Sequence, residues 1–323
     1  MTTTTNKKQV NVLLCVSGSV ATLKIPELIN QLSNQIENIN IKLLFSSEKA
    51  KYFFEKSKLY DPNNWSRFLG ESTSNSSTSN KFFEVESSGM IIYEEDEWNL
   101  WQQIGDPVLH IELRKWVDIV LIAPASANLL AKVTAGMADS LLLSMLRAIN
   151  LSSPSSSLAS NSLQQQHRQQ QVFICPAMNT AMWSHPCTNQ QINQLEKWGY
   201  HIIPPISKKL ACGDEGVGAL ALIDTIVETV KAACKHISHQ NDDSTTTDAN
   251  NNNSVKNSGS GNSSSHEKNN DLDILLQRAA SIRRSHQRNL YWSNVLYVTG
   301  VPMIIGISIG ATLISLLFGM KKK

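Results

Sequence analysis

Residues 176–186, PAMNTAMWSHP, follow the apolar run QVFIC and set a single carboxamide, Asn179, among methionines, a tryptophan and prolines. Such a stretch is either a loop folded back over a hydrophobic sheet or one wall of a ligand site. Three further apolar runs end in small, donor-rich loops. Ser17, Gly18 and Ser19 close QVNVLLCV, Ser46 and Ser47 close INIKLLF, and PASAN (124–128) closes DIVLIA. Each leads into a helical pattern, and the free N–H groups at a helix start suit an anion such as a phosphate. The same hydroxyls are also ordinary N-cap residues. Five cysteines, Cys15, Cys175, Cys187, Cys212 and Cys234, form no C-x-x-C pair and are odd in number, which argues against a structural zinc site and a disulfide framework. No metal is expected.

The elements that must position these loops alternate. Strand runs at QVNVLLCV, INIKLLF, GMIIYEE, DIVLIAPA and QVFICPA are separated by helical patterns such as VATLKIPELINQL, EKAKYFF and DPVLHIELRKWV, the last with Asp106 read as its N-cap and Pro107 at its first position. Strands apolar on both faces, alternating with helices, predict a Rossmann-like α/β fold, a parallel sheet inside a three-layer α/β/α sandwich. Ligands of such sheets bind beyond the carboxyl ends of the strands, where the donor-rich loops lie.

The formal net charge of +2 gives no argument for nucleic acid. The cysteine pattern suits a reducing compartment, and residues 1–8 read as a disordered lead without a secretory signal, so synthesis in the cytosol is expected. The globular domain is expected over 9–237, with Ser/Asn/Gln loop insertions at 71–80 and 151–171. A flexible linker follows at 238–270, then an amphipathic basic segment at 271–289. Its apolar positions Leu272, Leu275, Leu276, Ala279 and Ile282 suit a helix lying on a membrane surface or extending an anchor. From Leu290 to Met320 there is no charged residue, longer than the roughly 20 apolar residues a bilayer needs, so 290–320 reads as a C-terminal transmembrane helix. That places the chain in a membrane as a single-pass protein with its domain facing the cytosol.

Four separated motifs carry a resemblance: GSVA (18–21), EDEWNLWQQIGDPVLHIELRKWVDIVLIAPASAN (95–128), PAMNTAMWSHP (176–186) and LACGDEGVGAL (210–220). Together they resemble the phosphopantothenoylcysteine decarboxylases, within the homo-oligomeric flavin-containing cysteine decarboxylases. The resemblance implies an FMN-binding subunit of a homotrimer whose active sites are shared between neighbouring subunits. It also implies decarboxylation of 4′-phosphopantothenoylcysteine to 4′-phosphopantetheine in coenzyme A synthesis.

By motif, the resemblance assigns His110 as the acid/base group and Cys212 as the proton donor to the enethiol formed after CO₂ leaves. It assigns Asn179 to the substrate carboxylate, and Lys209, Ala211 and Leu220 to substrate binding in a closing flap. FMN contacts fall on Gly18, Ser19, Val20, Ser47, Ser126, Ala127, Asn128, Leu129 and Ala177. The sequence departs from the family pattern at Leu129 (threonine), Ala131 (glycine), Ser140 (asparagine) and Leu220 (methionine). A regulatory subunit that inhibits a protein phosphatase is the alternative the same family offers. Against it, His110, Asn179 and Cys212 all stand in one chain and the tail is not strongly acidic.

Overall fold

The computed structural model describes residues 9–70, 85, 88–151, 170–210, 213–242 and 265–298. Six strands form one parallel sheet: β1 (Val10–Val16), β2 (Ile39–Phe45), β3 (Ile91–Tyr93), β4 (Ile119–Ala125), β5 (Gln171–Pro176) and β6 (His201–Ile202). Their order is β3-β2-β1-β4-β5-β6, with every neighbouring pair parallel. The chain reverses its direction of winding between β1 and β4, which opens a crevice at their carboxyl ends. Every residue of β1 and β4 is buried, the pattern expected of strands covered on both faces.

Alternate residues of the strands supply the two faces. Val12, Leu14, Leu43, Phe45, Leu121 and Phe173 point into one core with α1 (Ile25–Gln35), α2 (Glu48–Tyr60), α3 (Pro62–Phe68) and α10 (Ile223–Asp242). The intervening residues, among them Leu13, Leu44 and Ile122, are equally buried on the opposite face. That side belongs to α5 (Leu109–Trp116) and α7 (Leu141–Ala148), and the short α6 (Ala127–Thr134) follows β4 in the chain. Helix α4 (Asp96–Leu100) precedes α5, and α8 (Thr180–Trp183) and α9 (Pro186–Lys197) follow β5. An antiparallel hairpin of β7 (Ile206–Lys209) and β8 (Glu215–Ala219) stands apart from the main sheet.

Three expectations change here. Asp106 does not cap α5: its carboxylate accepts from Gln102 N and Gln103 N at 2.8 and 3.0 Å, and the helix starts after Val108 with no side-chain cap. The segment read as lying on a membrane also differs. The last helix, α11 (Ser265–Val298), begins inside the compact unit that ends at Ala280, and there Leu272, Leu275, Leu276 and Ala279 are buried against protein. Asn11 Nδ2 donates to Asn269 Oδ1 at 3.1 Å, and the ammonium of Lys42, a buried cation inside β2, is paired with Asp273. A lysine in a buried strand must find a counter-charge, and this helix supplies it. The linker expected over 238–270 is helical at both ends, since α10 runs to Asp242 and α11 starts at Ser265. Among the described residues no helix is long and apolar enough to cross a membrane. The run expected to span one, 290–320, lies outside them beyond Val298.

Candidate active site

The strand ends at the crevice are stitched together by the hydroxyl of Ser17. Its Oγ donates to Pro124 O at 2.7 Å and accepts from Ser126 N at 2.8 Å, and Ser17 N donates to the same carbonyl at 3.2 Å. Ser17 is buried, so this serine holds the β1 and β4 ends together rather than facing a ligand. Ser46 N donates to Val16 O at 3.0 Å, which brings the β2 end alongside. At Gly18 a Cβ would stand 3.1 Å from Lys49 Cβ and 3.5 Å from Ser47 Oγ, so a side chain there would crowd the gap between the first two loops.

The remaining hydroxyls cap helices. Ser19 accepts from Ala21 N at 3.4 Å, Ser47 from Ala50 N at 3.3 Å, Ser126 from Leu129 N at 3.3 Å and Ser140 from Leu143 N at 3.2 Å. Capping by Ser126 satisfies Leu129 N and leaves the N–H groups of Ala127 and Asn128 at the helix start without an intrahelical acceptor. Asn128 is exposed there and Val20 is 43 % exposed at the tip of the first loop. Exposed donors beside an apolar side chain, around a glycine whose Cβ would crowd the cradle, fit a group with an anionic tail and a flat apolar ring. Leu129, one of the departures, is buried and adds no polar group.

A cavity of about 440 Å³ opens beside this cradle. Ser19, Val20, Ala177, Asn179, Lys209 and Leu220, all expected site residues, line it together. Its other cationic lining comes from Lys24 and Lys208. Lys24 was missed by sequence reasoning; it is the last residue of the 3-10 turn Val20–Lys24 that follows the first loop, and nearness in sequence to that loop was the available signal. Gly18, Ser47, Ser126, Ala127, Asn128 and Leu129 belong to the neighbouring cradle and not to the lining. Ala211 and Cys212 lie outside the described residues.

The hairpin closes the cavity. Met178 N donates to Gly218 O at 2.9 Å, and at Gly218, with φ +151°, a Cβ would lie 2.4 Å from Met178 O. Only glycine permits that approach. Asn179 caps α8 through Oδ1, which accepts from Ala181 N at 2.8 Å, and its Nδ2 donates to Asp214 Oδ2 at 2.7 Å.

His110 is not in this lining. It stands on the first turn of α5, half-buried, with Nδ1 against the buried carboxylate of Glu97. When Nδ1–H donates to Glu97, the free lone pair sits on Nε2, ready to accept a proton. The acids form a cluster. Burial pushes Glu94 up to about 7, opposed by Leu141 N–H and Leu142 N–H and assisted by the charges of Glu97 and Glu95. Its Oε2 accepts from Leu141 N at 2.6 Å, at the start of α7. Sequence reasoning passed over Glu97 although it lies within the EDEW motif. Between Glu97 and His110 in the chain, Trp98 is 75 % and Ile104 is 96 % exposed. Burial pushes the thiols of Cys15, Cys175 and Cys234 up, which keeps them unreactive at neutral pH.

Comparison with known proteins bears on the chain as a whole. Residues 1–235 match the family model described as Flavoprotein. Phosphopantothenoylcysteine decarboxylase of Mus musculus is 37% identical over 227 residues, spanning 70% of this chain and 88% of the relative. That of Oryza sativa subsp. japonica is 36% identical over 225 residues, spanning 69% and 80%. Among solved structures, a cysteine-to-serine variant of PPC decarboxylase complexed with pantothenoylaminoethenethiol superposes with TM-score 0.51 at 33% identity, covering 69% of this chain and 97% of that one. HAL3 from Cryptococcus neoformans gives TM-score 0.52 at 30% identity, covering 71% and 98%.

Proposed function

Because the chain belongs to the flavoprotein family and, within it, to the phosphopantothenoylcysteine decarboxylases, we propose that its flavin is FMN and that it converts 4′-phosphopantothenoylcysteine to 4′-phosphopantetheine and CO₂. The observation that carries this reading is one cavity lined together by the carboxamide residue Asn179 and by Lys24, Lys208 and Lys209. Its volume suits one small ligand. A substrate with a phosphate and a carboxylate needs both kinds of group, and the neutral amide is the better partner for the carboxylate. A cation there would stabilise the charged ground state over the transition state in which the charge leaves.

Bound flavin supplies a two-electron sink and returns the electrons once CO₂ has left, so the protein has only to bind, orient and move protons. Gly18, Ser19, Val20 and Ala177, with Ser47 and Ser126–Leu129, would hold it at the strand ends. His110, its Nδ1 fixed by Glu97, takes or returns a proton through Nε2. Cys212, two residues before Asp214, gives a proton to the carbon that lost CO₂.

His110 and the cavity come together, on this reading, in a homotrimer in which one copy brings His110 to the cavity of the next. The exposed Trp98 and Ile104, in the same stretch of chain that carries Glu97 and His110, support it, since large apolar side chains left at a surface suit an interface. A yellow, trimeric holoprotein that releases CO₂ from phosphopantothenoylcysteine is expected; a colourless protein, or a yellow one without CO₂ release, overturns the assignment and returns the phosphatase-inhibiting reading to first place. The uncharged run 290–320 is proposed as the membrane anchor, with the domain on the cytosolic side. The full chain should stay with membranes after alkaline washing and a chain ending at Asn289 should not; equal release of both defeats the anchor.

A further inference from the structure

The donor that the substrate carboxylate needs is already held by an acid of the same chain. Asn179 Oδ1 is committed to Ala181 N, so the amide cannot rotate freely, and its Nδ2 faces Asp214 Oδ2 at 2.7 Å. Asp214 sits at the tip of the β7–β8 hairpin. The tip turn is closed by Leu210 N donating to Asp214 O at 2.7 Å and Gly213 N donating to Leu210 O at 2.9 Å. The base of the hairpin is fixed differently, by Met178 N on Gly218 O with no room for a side chain between them. The base is therefore a backbone contact packed too closely to shift, whereas the tip rests on an exposed side-chain pair that water and ligands reach.

We propose that Asp214 is a resident carboxylate that occupies the carboxylate subsite of the empty enzyme and sets its preference between substrate and product. The substrate carboxylate displaces Asp214 from Asn179 Nδ2, one anion exchanging for another on a neutral donor. When CO₂ leaves, the donor is vacant and Asp214 returns to it. The decarboxylated ligand never competes with Asp214, so the acid penalises carboxylate binding alone and keeps the carboxylated ground state from being held too tightly. This rests on the proposed role of Asn179.

The test uses holoprotein and two unreactive ligands: the serine analogue of the substrate, which keeps the carboxylate but has no thiol, and its decarboxylated ethanolamine counterpart. Calorimetric titration of Asp214→Ala should show the carboxylated ligand binding about fivefold more tightly, as expected for freeing one exposed charge-assisted hydrogen bond. The decarboxylated ligand should be unchanged within about twofold. Asp214→Asn, which keeps an acceptor for Nδ2 but no charge, should lie between and guards against a collapsed tip. In an Asn179→Ala background, Asp214→Ala should have no selective effect. Equal tightening of both ligands would mean general repulsion of anions, and weaker binding of the carboxylated ligand would mean that Asp214 contacts the substrate; either overturns the proposal. If Asn179→Ala alone leaves the preference between the two ligands untouched, the carboxylate role of Asn179 fails first, and the exchange falls with it.

Discussion

The cavity under the hairpin and the corner around His110 are built by opposite means. In the cavity, distant stretches of chain are joined by main-chain hydrogen bonds: Met178 to Gly218, Ala177 to Ala125 and, behind them, Ser17 to Pro124. Its charged lining residues are Lys24, Lys208 and Lys209, with Asp214 held against Asn179. In the corner, residues from 94 to 110 are close in sequence, and the contacts run through carboxylates: Glu94 on Leu141 N, Asp96 on Tyr93 N and Glu97 on His110. A site held by backbone should fail when a side chain is forced into it. One held by charge should fail when the charge is removed.

The largest effect is expected in the corner. His110→Asn should lower CO₂ release by about 10²- to 10⁴-fold, the range for losing a general acid or base. Mixing this variant with Asn179→Ala chains before reassembly should restore part of the activity, because some sites then draw His110 from an Asn179→Ala chain and Asn179 from a His110→Asn neighbour. No restoration at any mixing ratio would mean that each chain completes its own site. Next comes the backbone contact: Gly218→Ala should cost about 1–3 kcal/mol of stability, read as a fall in denaturation midpoint, through a positive φ and a collision with Met178 O. An unchanged midpoint would show the hairpin base to be adjustable.

Glu97→Gln keeps a partner for His110 Nδ1 but removes the charge. It should lower kcat by roughly tenfold and shift the pH profile while leaving KM near its original value. A change in KM alone would place Glu97 in ligand binding instead.

The smallest effect concerns Glu94. Its folded-state value is raised from 4.5 to about 7, chiefly by burial, so the native state holds a proton that the unfolded chain releases. That contribution to stability is fully present below pH 4.5 and is lost as the pH rises through about 7. Glu94→Gln should flatten stability against pH in this window by on the order of 1 kcal/mol, and an unaltered slope would assign the dependence elsewhere.

Most of the sheet was legible. Strands β1, β4 and β5 are largely apolar runs of six or seven residues, and β2 ends in the buried apolar LLF; burial on both faces leaves little other use for such runs. The hairpin was not legible as strands, because ISKK and EGVGA are polar or glycine-rich and mostly exposed. Their pairing comes from the backbone, which leaves little mark on side-chain pattern. Helix α11 shows a subtler limit. Its apolar face at Leu272, Leu275, Leu276 and Ala279 was visible, but periodicity says only that a face must be covered, not by what. A membrane surface and the second face of this sheet satisfy it equally, and the overlooked clue was Lys42, a charge inside a strand that needs a partner.

What the sequence by itself determined was the succession of strands and helices and the identity of the chemical groups at the strand ends, since both depend on local burial pattern and residue type. Tertiary structure alone decided how those groups are used. Ser17 spends its hydroxyl on the β1–β4 junction, Asp273 neutralises Lys42 across 231 residues of chain, and Asp214 occupies the amide of Asn179. Each pairing depends on register and closure between distant segments, and hydrogen bonds and ion pairs act over only a few ångströms, so no local pattern in the chain encodes them.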